Sequence, residues 1–235
     1  MRHRIDEQLI KLRRRMIKMC SLVDEQVESA FRAILNEDAD LAARVIFLDE
    51  KVDLYDLKIS RSCQKILAIN QPVAVDLRMI MSSISINNNL ERIGDIAVNL
   101  CENFRLNNRK PVFFDRIKFV DMAHIVREML RNSIDSFIRL DSMLAIQVLG
   151  TDRLLDRLNV ENHRIMIDIM KEEKENIEEA VAYLVMCRQL ERIGDHATNI
   201  AEDVLFVVHG KTVKHNYNEI LGKEGSAAGD ELVTQ

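Results

Sequence analysis

Apolar side chains at Ile5, Leu9, Leu12, Met16, Met19, Val23, Val27, Phe31 and Ile34 follow one another at steps of three or four residues. That spacing draws a single stripe along one long helix. Arg4, Lys11, Arg14, Arg15 and Lys18 fall opposite the stripe and predict a solvated basic face. Asn36-Glu37-Asp38 predicts a break, because Asn and Asp cap helices well. A second helix is predicted over 39–69, with Leu41, Val45, Leu48, Val52, Tyr55 and Ile59 turned inward. Gln71-Pro72 then opens a third, since proline suits a first helical turn, and this helix runs to about residue 106, before Asn107, Asn108 and Pro111. The pattern starts again with helices predicted at 114–140, 143–171 and 176–209. The Gly-Ser-Ala-Ala-Gly run near the end predicts a loosely held tail over 211–235.

The restart is a repeat. At an offset of one hundred, Leu90-Glu91-Arg92-Ile93-Gly94-Asp95 coincides with Leu190-Glu191-Arg192-Ile193-Gly194-Asp195, and Ala97, Asn99 and Glu102 with Ala197, Asn199 and Glu202. At 103, Leu41, Ala42, Val45, Asp49 and Asp53 meet Leu144, Ala145, Val148, Asp152 and Asp156. An internal duplication of about one hundred residues therefore predicts an all-α fold of two tandem three-helix bundles, 1–108 and 112–210.

Composition narrows the class further. Seven glycines and two prolines in 235 residues, three of those glycines in the last fourteen, cannot supply the turns of an all-β fold. A formal net charge of −5 argues against a dedicated nucleic-acid binder. No run approaches the ~18 apolar residues of a membrane span, which points to a soluble protein inside the cell. Cys20, Cys63, Cys101 and Cys187 are far apart and form no CxxC, so they are expected to be reduced and packed on helices.

Each repeat carries Glu-Arg-Ile-Gly-Asp-x-Ala-x-Asn within a helix. Its Glu and Asp, four apart, share one helix face with Cβ atoms ~6 Å apart, and like charges so placed repel. The intervening glycine costs about 1 kcal/mol against alanine. Something should offset both penalties. The preceding helix of each repeat brings a second pair at the same spacing, Asp49 and Asp53 or Asp152 and Asp156. Four carboxylates on two adjacent helices suit a hard, oxygen-seeking cation: Asp49, Asp53, Glu91 and Asp95 in one repeat, Asp152, Asp156, Glu191 and Asp195 in the other. Asn99 and Asn199 offer an amide oxygen or a hydrogen bond to a ligand. The alternative is structural, with Arg92, Arg192 or nearby lysines pairing the carboxylates. His124, His163, His196 and His209 have no partner at ligand spacing, and neither repeat has the Glu-x-x-His of a di-iron bundle. No P-loop, dinucleotide fingerprint or nucleophile elbow occurs, and no catalytic residue stands out.

The duplicated Glu-Arg-Ile-Gly-Asp motif, the Gln71-Pro72-x-x-x-Asp-Leu-Arg opening of the third helix and the six-helix layout resemble the PhoU family of phosphate-regulatory proteins over about residues 5–210. The resemblance implies metal clusters on the eight carboxylates, with multinuclear iron first and zinc, manganese or magnesium as alternatives. It further implies a non-enzymatic cytoplasmic regulator, peripheral to the membrane at most. Such a protein represses the phosphate-starvation response together with the ATPase subunit of a phosphate ABC transporter and a sensor histidine kinase. Long amphipathic faces make a homodimer reasonable. Two other readings compete with it, a carboxylate-bridged metal enzyme and a metal-free helical adaptor. One departure stands out: the second repeat lacks the Gln-Pro-x-x-x-Asp-Leu-Arg segment, having Lys171–Glu179 there, so the two sites are expected to differ in ligand count or affinity.

Overall fold

In the computed structural model, which describes residues 2–211 and side chains from residue 5, six long helices account for nearly all of the described chain. They are α1 (Arg2–Asn36), α2 (Ala39–Asn70), α3 (Ala74–Asn107), α4 (Phe119–Arg139), α5 (Ser142–Glu172) and α6 (Ile177–His209). There is no strand among the described residues. The sequence-predicted tail over 211–235 lies, past Lys211, outside them.

The repeat reaches down to the turns. Glu37 and Leu140, at equivalent positions, both take a left-handed backbone with φ of 56° and 55°. The aspartate after each caps the next helix: Asp38 accepts from the Leu41 N–H at 2.8 Å, and Asp141 from the Met143 and Leu144 N–H groups. At the far ends of α3 and α6, Asn108 and Gly210 are left-handed caps whose N–H groups reach the Phe104 and Phe206 carbonyls. Pro72 sits just outside α3 rather than in its first turn, since Val73 is extended and precedes the helix without a capping side chain.

The α1 stripe is buried as its periodicity requires, from Leu12 to Ile34, with Ile5 and Leu9 partly covered. α2 and α3 pack on it, and α5 and α6 pack on α4 in the same way. One correction concerns the start of α4, predicted at residue 114 and found at Phe119. Phe114–Arg116 forms a single 3₁₀ turn, because Phe113, Phe114 and Phe119 converge on the Tyr183 ring with centroids 5.6–6.5 Å apart. The Lys118 N–H donates to Asn162 Oδ1 at 2.9 Å. An unbroken helix would carry those rings out of the cluster.

The two units lie side by side with α3 antiparallel to α6. Ser82 reaches Asp203, Asn89 meets His196, and Arg109 reaches Glu179. α1 and α4 are antiparallel too, with Glu28 paired to Arg127 and Asp24 to Arg131. Both motif segments therefore lie near the middle of the α3–α6 seam. The buried apolar side chains form one connected core through both units. All four cysteines are buried and free.

Candidate functional site

Each glycine of the motif is a point of close approach between helices. A Cβ on Gly94 would lie 3.0 Å from Gln26 Oε1, 3.2 Å from Val52 Cγ1 and 3.5 Å from Asp49 Oδ1. A Cβ on Gly194 would meet Leu155 Cδ2 at 2.4 Å. The glycines let α2 seat against α3 and α5 against α6, and that packing offsets their poor helix propensity.

The close approach brings the acidic pairs together. In the first groove Asp49 is half-buried, and burial pushes its carboxyl up. A hydrogen bond from Gln26 Nε2 to Asp49 Oδ1, 3.0 Å, opposes that rise, while Asp53 and Asp95 add to it. Burial, then Asp95, raises Glu91, with Arg92 opposing and Asp56 and Asp53 adding. In the second groove burial, followed by Asp156 and Asp195, pushes Asp152 up to about 6. Glu191 is raised by burial and Asp195, against Arg188, whose Nη1 lies 3.0 Å from Glu191 Oε1. Desolvation and Asp156 raise Asp195. Like charges that resist ionisation together on facing helices are what a cation would relieve.

All eight sequence-predicted carboxylates thus line the two grooves, four on each. Asp53, Asp156 and Asp195 are exposed at the rims, and the others are half-buried. Asn99 and Asn199 are exposed one turn beyond. Asn199 Nδ2 donates to Asn89 Oδ1 at 3.2 Å, so its amide is engaged across the α3–α6 seam. His196, the motif's odd histidine, joins the same seam, with Nδ1 2.9 Å from Asn89 Oδ1. The structural alternative is realised in part. Arg92 lies 3.4 Å from Glu91 and 3.2 Å from Asp95, but its side chain is 61% exposed, and such pairs contribute little.

The oxygen-only, anionic donor set fits a hard cation, and Glu191 Oε2 is buried without a hydrogen-bond partner among the described residues. No three His, Cys, Asp or Glu side chains among the described residues stand close enough to form a finished cage. The donors are present, and the cage is not drawn together.

Sequence reasoning missed two parts of the first groove. Gln26 is fully buried on α1 beneath Asp49, and its Oε1 has no hydrogen-bond partner. Asp56 faces Glu91 and is held by Asn87 Nδ2 at 2.5 Å. A buried Gln interrupting an apolar stripe at Gln26 was the available signal. The missing Gln-Pro-x-x-x-Asp-Leu-Arg segment touches neither groove, since Asp76 lies about 22 Å along α3 from Glu91 at 1.5 Å per residue. The asymmetry between the sites lies elsewhere, with Met129 and Asn159 at the positions equivalent to Gln26 and Asp56.

The profile of the PhoU domain matches this chain twice, over residues 16–104 and 119–204. A phosphate-specific transport system accessory protein PhoU homolog of Pseudomonas putida is 35% identical over 227 residues, covering 91% of this chain and 85% of the relative. That of Aquifex aeolicus is 35% identical over 211 residues, covering 90% and 96%. The crystal structure of PhoU from Pseudomonas aeruginosa superposes with a TM-score of 0.83 at 32% identity, over 88% of this chain and 99% of that one. The phosphate transport system regulatory protein PhoU from Streptococcus pneumoniae gives 0.80 at 25% identity, over 89% and 99%. The chain belongs to the PhoU family.

Proposed function

We propose that this protein is an accessory regulator of phosphate transport that also restrains the phosphate-starvation response, acting without catalysis of its own. Family membership supports the role in transport regulation, as relatives covering most of the chain are named phosphate-specific transport system accessory proteins. The finer reading carries over what the resemblance implies. The partners are the ATPase subunit of a phosphate ABC transporter and a sensor histidine kinase, met at the cytoplasmic face of the membrane. No helix among the described residues is long and apolar enough to cross a membrane.

The observation that carries the metal part of the reading is the pair of glycine-seated carboxylate grooves. Asp49, Asp53, Glu91 and Asp95 would hold one cluster and Asp152, Asp156, Glu191 and Asp195 the other, with iron the first candidate and zinc, manganese or magnesium the alternatives. A bound cation would turn the repulsion between facing carboxylates into shared attraction and tie α2 to α3 and α5 to α6. The carboxylates supply charge, the glycines supply closeness, and Gln26 holds Asp49 in place.

Two experiments test this. Deletion in the native host is expected to derepress phosphate-starvation genes and to disturb phosphate uptake; an unchanged phosphate response would sink the regulatory reading. Elemental analysis of purified protein is expected to find metal that Asp95→Asn and Asp195→Asn each reduce. Metal-free protein from metal-replete cells would favour the adaptor reading.

A further inference from the structure

Along the side of α2 turned away from α3, Phe47, Lys51, Leu54, Lys58, Arg61 and Lys65 recur at steps of three or four residues, and all six are exposed. Lys11, Arg15 and Lys18 form a matching row on α1. Arg15 joins the rows, its Nη1 donating to the Lys58 carbonyl at 3.0 Å and to the Ser62 hydroxyl. Lys11, Arg15 and Lys65 line one open recess of about 320 Å³. Elsewhere on the surface basic side chains pair with acids, as Arg127 does with Glu28 and Arg116 with Glu172. None of the seven basic side chains of this face does so among the described residues. Glu7 and Glu25 stand at the two ends of the α1 row, while Asp53 and Asp56 turn to the opposite side of α2, toward the carboxylate groove. A chain of net charge −5 thus gathers seven positive charges on one two-helix layer.

The fold does not require this charge. In the second unit α4 and α5 pack as α1 and α2 do, yet Asp121, Glu161 and Asp168 stand at the positions of Lys18, Lys58 and Lys65. Lys51 is matched by Leu154, and Phe47 and Leu54 by Gly150 and Arg157. Only Arg15 and Arg61 keep basic equivalents, Lys118 and Arg164. The same packing is therefore reached with the charge reversed.

Two features of the face identify its partner. Between the lysines Phe47 and Leu54 project singly into solvent, 66% and 49% exposed. Cations alternating with single apolar side chains suit a lipid interface, where the cations meet anionic headgroups and the apolar groups reach the acyl boundary. Five of the seven basic residues are lysines, the residue type that protein–protein interfaces disfavour. We propose that the α1–α2 face docks on an anionic lipid surface, with Phe47 and Leu54 entering between the headgroups. The face is separate from the carboxylate grooves. Its role stands whether or not they bind metal, and whether or not the protein regulates phosphate transport.

The chain contains no tryptophan, so Phe47→Trp in the full chain installs a single reporter. Its emission is expected to move to shorter wavelength on vesicles of equal parts phosphatidylglycerol and phosphatidylcholine, and to stay solvent-like on phosphatidylcholine alone. Salt at about 0.5 M, which shortens the screening length to roughly 4 Å, is expected to reverse the shift. Each basic side chain at an anionic surface is worth about fivefold in affinity. Adding Lys18→Asp, Lys58→Glu and Lys65→Asp, substitutions that the second unit already carries, is expected to weaken vesicle binding more than about a hundredfold while circular dichroism stays unchanged. Emission that anionic vesicles leave unmoved overturns the proposal. So does binding that the triple change leaves intact, which would put the contact on another face. A complex with poly-glutamate as tight as that with the vesicles, the reporter staying solvent-like in both, overturns it in favour of an acidic protein partner.

Discussion

Beneath the first carboxylate groove, Gln26 donates to Asp49; beneath the second, the equivalent position is Met129, and among the described residues Asp152 has no such donor. The first groove gathers five carboxylates on α2 and α3, counting Asp56, whereas Asn159 replaces the fifth in the second. The glycines differ in tightness too, since the space beside Gly194 is filled by the buried Leu155 and that beside Gly94 by the end of the Gln26 amide. Two copies of one motif thus rest on a polar floor and an apolar floor. The acidic pairs decide what kind of ligand can be attracted. The helix beneath decides how stiffly each carboxylate is held and how readily it ionises.

Metal should separate the grooves most strongly. A cation at one hundred times its Kd stabilises the native state by about 2.7 kcal/mol per site. In thermal melts with and without added metal, Asp95→Asn is expected to abolish the gain from the first groove alone, and Asp195→Asn that from the second alone. In chelator-treated protein the same changes are expected to be neutral or slightly stabilising, because each relieves repulsion. Equal destabilisation with and without metal would make Asp95 a structural partner of Arg92.

The glycines come next. Gly194→Ala is expected to cost about 1–3 kcal/mol in urea unfolding, because its methyl group must displace Leu155 from a packed core. Gly94→Ala should cost less, under about 1 kcal/mol, since the improved helix propensity offsets a milder crowding. The reverse order would show that the apolar floor yields more easily than the amide.

Proton linkage should also distinguish the floors in metal-free protein. The folded state raises the Asp152 carboxyl to about 6, above ~3.9 for an unfolded chain. Its contribution is therefore present below about pH 4 and lost as pH rises through about 6. After allowance for solvent screening, about 1 kcal/mol of stability should disappear over that window. Asp152→Asn is expected to flatten the profile, and Asp49→Asn to flatten it less, because Gln26 opposes the rise at Asp49. Indistinguishable profiles would remove the distinction between the floors.

The smallest stability effect belongs to Gln26→Met, which gives the first groove the floor of the second. Losing one hydrogen bond while filling the space with an apolar chain should change stability by less than about 1 kcal/mol. The Asp49 carboxyl should nonetheless move upward in a carbon-detected NMR titration, and an unmoved carboxyl would mean that Gln26 does not tune it.

Most of the architecture was legible in the residues. The three-to-four spacing of apolar positions, the Asp38 cap and the repeated Glu-Arg-Ile-Gly-Asp segment are local or self-referential patterns, and they specify six helices in two equivalent units. That each acidic pair shares one face of its helix was legible for the same reason, since the pairs stand at i, i+4. The start of α4 was not, because the backbone at Phe114 yields to a ring more than sixty residues away, Tyr183.

The sequence by itself determined which helices form, where their acidic faces lie and that the plan occurs twice. Tertiary structure alone decided that Gln26 lies under Asp49, that Leu155 fills the space beside Gly194, and that Phe113 and Phe114 pack on Tyr183, where the equivalent position of the first repeat is Ser83. Helical periodicity fixes the direction of a side chain within its own helix. What it meets depends on the crossing of helices distant in sequence, and on which residue each repeat carries at that crossing.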